Sequence, residues 1–325
     1  METSRLPFPD ARDILRAADR IKPFINHTPI LTSQFINRKF NSDIFFKCEN
    51  FQKVGAFKAR GASNAVLSLN SEQIQQGVAT HSSGNHAQAL SWAASLVNTR
   101  AFVVMPDNSP KVKVDAVRGY GGKIYFCEPT LEAREETLKK VLLETNATEI
   151  HPYNDYRTIT GQATAALELI GELKKTDIIL APVGGGGLLS GTLLSSACFS
   201  PGTKVIGIEP EAANDAWRSI NEKKIIPSLN PKTIADGLRT SLGTLTFPII
   251  LRYVADIVTV SEASIISAMQ FIWERMKIII EPSAAVPVAA LFEHKVDVRN
   301  KKVGIILSGG NVDLTSLPWK SNGNR

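Results

Sequence analysis

Residues 177–191 read Asp-Ile-Ile-Leu-Ala-Pro-Val-Gly-Gly-Gly-Gly-Leu-Leu-Ser-Gly (DIILAPVGGGGLLSG). An almost wholly apolar run meets four consecutive glycines, and an apolar helical pattern, LLSGTLLSSACF, follows. A run apolar at nearly every position is what a strand covered on both faces requires. The stretch predicts a buried parallel strand that enters a helix through a bare-backbone loop. That arrangement sets the fold class as α/β.

The same alternation continues on both sides. GVATHS (77–82), RAFVVMP (100–106), KIYFCE (123–128) and TEIHPY (148–153) read as strands, as do KVIGIEP (204–210), DIVTVS (256–261) and KVGIILS (302–308). Between the first four lie NHAQALSWAASLVN, SPKVKVDAVRGY and TLEAREETLKKVLLETN, which read as helices. In the last of these Thr130 suits the cap, Glu132 the first turn, and Leu131, Leu138 and Leu142 one apolar face. Helices also fit ITGQATAALELIGEL and EASIISAMQFIWERMK. The block 77–150 is self-contained, so it is expected as a small domain inserted into a large one built from 1–76 and 151–325.

Composition removes several classes of function. At 325 residues, with 43% hydrophobic and 21% charged, the chain is neither disordered nor fibrous and can fill a large core. The net charge of +6 is scattered among acidic neighbours, as in Glu132-Ala133-Arg134-Glu135-Glu136, with no basic stripe carrying interleaved aromatics. Nucleic acid is therefore not an expected partner. Cys48, Cys127 and Cys198 are odd in number and far apart, which fits buried or half-buried free thiols in a reducing compartment. Neither a signal core nor an apolar run of about 18 residues is present, so a cytoplasmic protein without a membrane span is expected.

In open parallel sheets ligands bind beyond the carboxyl ends of the strands. Four such ends carry chemistry: Ser82-Ser83-Gly84-Asn85-His86, Gly184-Gly185-Gly186-Gly187, Glu209-Pro210 and Ser308-Gly309-Gly310-Asn311. The glycines read as a phosphate cradle, where bare backbone N–H groups meet a helix amino end, or else as a permissive tight turn. No Lys-Ser/Thr follows them, which disfavours a nucleoside triphosphatase loop, and no Gly-x-Gly-x-x-Gly frame fits, although Glu209 stands where a dinucleotide's ribose acid would. Ser83 and His86 allow three readings: a nucleophilic pair, helix-capping serines, or a seat for a substrate carboxylate. Lys58, in GAFKARG (55–61), is either a solvated cation or an amine desolvated beside Phe57, Ala59 and Ala62 and hence a nucleophile.

Taken together, FFKCENFQKVGAFKARGA, HSSGNHAQAL, PVGGGGLLSG, TIADG and LSGGNVDLTS resemble the pyridoxal-phosphate enzymes of fold type II, within the family of serine racemases and serine/threonine dehydratases. The resemblance runs from about Ile21 to Leu317 and lies closest to the racemases. It implies a two-lobed, tryptophan-synthase-β-like fold and identifies Lys58 with the lysine covalently joined to the cofactor. Gly184, Gly185, Gly186, Gly187 and Leu188 match the loop around the cofactor phosphate, and Asn85 the partner of the ring hydroxyl. Phe57 packs at the ring, Ser308 faces the pyridine nitrogen, and Gly237 and Glu281 complete the cofactor site. A serine rather than a carboxylate at that nitrogen implies a weaker electron sink.

The resemblance further implies Lys58 as the base on one face of the α-carbon and Ser83 as the acid on the other, with Ser82, Ser83, Asn85, His86 and Arg134 at the substrate. Glu209, Ala213 and Asp215 match a divalent-cation site (Mg²⁺, Ca²⁺ or Mn²⁺) of structural role. Ser33, Lys53, Tyr120 and Asn311 match an ATP site at the interface of a homodimer, with ATP as an allosteric activator. The implied activity is racemisation of serine, together with dehydration of serine or threonine to a keto acid and ammonia. The alternatives are a threo-3-hydroxyaspartate ammonia-lyase, to which Ala56 and EPEAANDA point, and a catalytically weak ligand-binding relative. The sequence departs from vertebrate racemases at Ala87, Thr240, Gln34, Phe35 and Tyr153-Asn154-Asp155.

Overall fold

The structure is a computed structural model that describes residues 8–82, 84–109 and 111–319. The chain opens with α1 (Ala11–Ile21), β1 (Ile30–Thr32), α2 (Gln34–Phe40), β2 (Asp43–Cys48), α3 (Lys58–Leu67) and α4 (Ser71–Gln76). It continues as β3 (Val78–His81), α5 (Asn85–Ser95), β4 (Ala101–Pro106), α6 (Lys111–Gly119), β5 (Lys123–Cys127), α7 (Leu131–Thr145) and β6 (Thr148–Glu149). Next come α8 (Tyr156–Leu173), β7 (Ile178–Pro182), α9 (Gly187–Phe199), β8 (Lys204–Pro210) and α10 (Asp215–Glu222). The last elements are α11 (Thr246–Tyr253), β9 (Asp256–Val260), α12 (Glu262–Met276), α13 (Pro282–Phe292) and β10 (Lys302–Leu307).

Two sheets result. The larger has the order β1-β2-β10-β7-β8-β9 and the smaller β5-β4-β3-β6. All pairings are parallel except that of β1 with β2. Every residue of β4 and β7 is buried, as their unbroken apolar runs require when helices cover both faces. One apolar cluster joins β10 and β7 to α12 and α13, and another joins the opposite face of that sheet to α8 and α9.

Helix α3 is pressed against α8 where two glycines cross. A Cβ on Gly161 would stand 2.5 Å from the Arg60 carbonyl oxygen and 2.6 Å from the Gly61 Cα, so only bare backbone permits this approach. The contact fixes the helix whose first residue is Lys58.

Several expectations need correction. The larger sheet also contains β1 and β2, which precede the strand–helix alternation expected from residue 77 onward. The expected strand TEIHPY contracts to Thr148–Glu149. The backbone N–H groups of Tyr153 and Asn154 turn back to His151 Nδ1, at 3.3 and 2.9 Å, and draw the chain out of the sheet. Thr130 does cap α7, accepting from Ala133 N, but Leu131 is 55% exposed because the buried face is carried by Leu138 and Val141 further along. Cys48 is buried and Cys127 half-buried, whereas Cys198 is exposed near the end of α9.

Candidate active site

The carboxyl ends of the strands bring the singled-out residues together. Phe57 N–H donates to the Ser308 carbonyl oxygen at 3.0 Å, and Ala56 forms a β-bridge with Gly309. The loop after β2 is thereby sewn to the loop after β10. Glu281 N–H donates to the Gly309 carbonyl oxygen at 3.0 Å, which seats the first turn of α13 beside the same loop. Asn85, in the first turn of α5, donates Nδ2 to both Glu281 oxygens at 2.9 and 3.1 Å and accepts from Asn311 Nδ2 at 2.9 Å. The smaller sheet thus contributes Asn85 to a site built otherwise on the larger one.

Lys58 is half-buried, its amine 5.1 Å from the centre of the Phe57 ring, and its Nζ donates to the Pro152 carbonyl oxygen at 2.7 Å. Desolvation pulls its ammonium down to about 8, with the Glu281 carboxylate working in the opposite direction. Burial, and then the charge of Asp236, push Glu281 up to about 7 against the hydrogen bonds from Asn85. Burial thus makes the neutral amine easier to reach here than at a solvated lysine.

The four glycines form a cradle that no side chain could share. A Cβ on Gly185 would lie 2.3 Å from the Tyr153 ring, one on Gly184 would lie 3.0 Å from the Gly237 carbonyl oxygen, and Gly186 has φ +86. Gly186 is the residue before α9, so the loop ends on the amino end of a 13-residue helix whose N-cap makes no side-chain bond. Such an end attracts a phosphate. Thr246 Oγ1, in the first turn of α11, donates to the Gly185 carbonyl oxygen at 2.8 Å, and Ser283 Oγ, in the first turn of α13, accepts from Gly237 N at 3.1 Å, so helix ends hold the cradle and the Gly237 turn against it.

His86 is 2% exposed. Its Nε2 lies 3.0 Å from the Ile150 carbonyl oxygen and so carries the proton, and burial followed by the Lys58 charge pulls it down to about 3. Its Nδ1 has no partner among the described residues. The imidazole is neutral. Ser83 lies outside the described residues, so the serine–histidine reading has no geometry here; Ser82 Oγ accepts from Gly84 N at 3.3 Å. Arg134, on α7, donates Nε to Thr130 O at 3.2 Å, and its charge helps to lower His81, after burial. A cavity of about 200 Å³ lies beside them, lined by His81, Glu135, Lys139, Glu149 and His151 among others.

Glu209, next to last in β8, accepts from Trp217 N at 2.7 Å and Ala216 N at 3.2 Å. Asp215 is 1% exposed, and its Oδ2 has no partner among the described residues. Burial raises both carboxyls, Asp215 to about 7 and Glu209 well above the usual range. Of the remaining expected residues, Asn311 sits at the cleft with Asn85 and Val54, while Ser33 precedes α2, Lys53 is exposed and Tyr120 follows α6. Sequence reading missed Pro152, which meets Lys58 from the loop before α8, and Thr246, which meets Gly185 from the first turn of α11; neither carries a motif of its own.

The family description that matches this chain, over residues 21–309, is that of a pyridoxal-phosphate dependent enzyme. The chain belongs to this family. It is 50% identical to the β-hydroxyaspartate dehydratase of Paracoccus denitrificans (strain Pd 1222), over 96% of this chain and 99% of the relative. It is 49% identical to a serine racemase of Arabidopsis thaliana, covering 99% and 98% of the two. Among solved structures, the serine racemase of Dictyostelium discoideum matches with a TM-score of 0.89 and 47% identity, over 94% of this chain and 99% of that one. Family membership makes the protein a pyridoxal-phosphate enzyme of fold type II. The residues fit the cofactor: the Lys58 amine, its ammonium disfavoured by desolvation, is bonded to Pro152, and the adjoining Tyr153 lies on a four-glycine loop at a helix amino end. No helix among the described residues is long and apolar enough to cross a membrane.

Proposed function

We propose that the protein is a serine racemase that interconverts L- and D-serine and also dehydrates L-serine or L-threonine to pyruvate or 2-oxobutanoate and ammonia. The observation that carries this reading is the amine of Lys58, desolvated and bonded to Pro152, the neighbour of the Tyr153 ring that lies on the glycine cradle, in a chain 49% identical to a serine racemase.

When bound, pyridoxal phosphate supplies the electron sink that acidifies the α C–H bond of an amino acid. Gly184 to Gly187 and Leu188 would hold its phosphate, Asn85 its ring hydroxyl, Phe57 and Gly237 its flanks, and Ser308 its pyridine nitrogen. Glu281 would orient Asn85 through the two hydrogen bonds that it accepts. Lys58 Nζ takes the α-proton from one face, and a pKa near 8 leaves more neutral amine for this than an ordinary lysine has. Ser83, with a hydroxyl assigned to the opposite face, returns a proton there and inverts the centre. In the competing outcome the β-hydroxyl leaves as water. Ser82, Asn85 and His86 near the substrate carboxylate, with Arg134 on the small-lobe side, orient the amino acid.

The proposal extends to the division into a large domain (1–76 and 151–325) and a small one (77–150), a cytoplasmic location, and a homodimer with ATP at Ser33, Lys53, Tyr120 and Asn311. It also includes a divalent cation held by Glu209, the Ala213 carbonyl and Asp215. The unpartnered Asp215 Oδ2 and the raised carboxyls support that donor set, since a cation would neutralise two acids that burial otherwise disfavours. A second reading, β-hydroxyaspartate dehydration, is favoured by the 50% identity to the Paracoccus enzyme. Incubation with L-serine, followed by chiral chromatography and a pyruvate assay, tests the first reading. D-serine is expected, and pyruvate without D-serine would rule out the racemase. Faster turnover of threo-3-hydroxyaspartate than of L-serine would favour the second reading.

A further inference from the structure

Two residues beyond Lys58, the Arg60 side chain is wholly buried and its guanidinium is fully engaged. Nε and Nη2 donate to Glu49 at 2.7 and 2.8 Å, and Nη1 and Nη2 to Glu168 at 2.7 and 2.8 Å. Nη1 also reaches Thr164 Oγ1 at 3.1 Å. Lys47, likewise 0% exposed, places Nζ 2.6 Å from Glu168 and 2.7 Å from the Thr28 carbonyl oxygen, while Thr28 Oγ1 donates to Glu49 at 2.6 Å. Two cations and two carboxylates balance, three of them buried and the fourth, Glu168, with its side chain 16% exposed and His27 Nε2 3.9 Å away.

These four residues come from three parts of the fold. Lys47 lies on β2, and Glu49 opens the short 3₁₀ turn after it, in the loop that leads to Lys58. Arg60 lies in the first turn of α3, and Glu168 lies on α8. Helix α3 lacks a side-chain cap, since its N-cap is Phe57 without such a bond. Its amino end is therefore located by the guanidinium fork, together with the Gly61–Gly161 crossing and the Asn64 Nδ2 bond to the Arg157 carbonyl oxygen at 2.7 Å. Buried ion clusters are poor devices for stability alone, because apolar groups of the same volume often do as well or better. They do fix geometry, since a bidentate fork tolerates little displacement.

We propose that the Lys47–Glu49–Arg60–Glu168 cluster is a positioning device for Lys58: it ties the first turn of α3 to α8 and to the loop after β2, and so sets where the amine stands. Arg60 acts through the backbone of α3 and touches neither substrate nor cofactor. The inference rests on the reading of Lys58 as the reactive amine. A displacement of about 1 Å at a reacting group can cost on the order of 100-fold in rate, so rigid anchoring at this point carries functional weight.

The test uses the full chain. Arg60→Lys keeps the charge and removes the fork. A neutral set, Lys47→Met with Glu49→Gln, Arg60→Met and Glu168→Gln, replaces every charge at similar volume. For each, we would measure the thermal midpoint, kcat and KM with L-serine, and the pH midpoint of Lys58 acetylation after cofactor removal with hydroxylamine. The neutral set is expected to unfold near the parent temperature. In both variants the acetylation midpoint is expected to move by about one pH unit, with kcat at least ~10-fold lower and KM less affected. A folded variant of either kind with the parent's acetylation midpoint and kcat would overturn the proposal, because the cluster would then serve stability only. Acetylation is read without cofactor, so a cofactor adduct at some other lysine would count against the Lys58 reading and not against the anchoring.

Discussion

Lys58 Nζ donates to the carbonyl oxygen of Pro152, 94 residues away in sequence, at 2.7 Å. The next side chain, Tyr153, lays its ring against Gly185. One short segment therefore grips both the amine and the glycine cradle, so the distance between them depends on how residues 151–154 leave the smaller sheet. His151 controls that exit through the two backbone N–H groups bound at its Nδ1. Burial, followed by the charges of His81 and Lys58, pulls its imidazole down to about 4, which keeps it an acceptor at neutral pH.

Because the folded amine of Lys58 titrates near 8 and an unhindered lysine at 10.5, the unfolded chain holds a proton between those values that the folded chain has released. In cofactor-free protein this group therefore makes stability rise with pH from about 8 to about 10.5 and disfavours folding below that window. Glu281→Gln removes the negative neighbour that raises the Lys58 pKa. Competitive acetylation of cofactor-free protein should give a midpoint near 8 for the parent and a lower one for Glu281→Gln. An unchanged or higher midpoint would show that the Glu281 charge does not reach the amine.

Gly185→Ala forces a Cβ to within 2.3 Å of the Tyr153 ring, and overpacking of that kind costs about 1–3 kcal/mol. The damage should fall on cofactor retention, read as bound cofactor absorbance after gel filtration. Adding Tyr153→Ala should restore part of it, because the clash disappears. Equal cofactor loss in the single and double variants would place the strain elsewhere.

Of these features, the glycine loop was legible as a dense local pattern, four adjacent glycines after a buried strand, whereas the residues around Lys58 left it open between solvated cation and desolvated amine, and only the family resemblance singled it out. The β7–α9 unit follows from periodicity alone. What sequence could not display is long-range pairing. The Arg60–Glu168 contact spans 108 residues and Asn85–Glu281 spans 196, and neither partner carries a local sign of the other. Leu131 misled because a seven-residue spacing puts it on the Leu138 face of α7 without saying that the helix begins beyond the edge of its cover.

Mg²⁺ or Ca²⁺ should raise the thermal midpoint of the parent. A ligand at a hundredfold excess over its Kd contributes about 2.7 kcal/mol. Asp215→Asn should abolish this shift and the sensitivity to chelator with it, since one of two buried acids is then uncharged. A shift of the parent's size in Asp215→Asn would remove Asp215 from the cation site.

Ser83→Ala should cut D-serine formation from L-serine by about 100-fold or more, the scale of a lost general acid, while pyruvate formation falls far less. Chiral chromatography and a lactate dehydrogenase-coupled assay on the same samples measure both. Parallel loss of the two products would refute a role confined to one face.

The central claim is that one amine, among all the lysines of the chain, joins the protein to its cofactor. Reduction of the purified holoenzyme with borohydride, followed by proteolysis and mass spectrometry, should locate the pyridoxyl adduct on Lys58. An adduct at another lysine, or none in protein that carries the cofactor's absorbance, would contradict it.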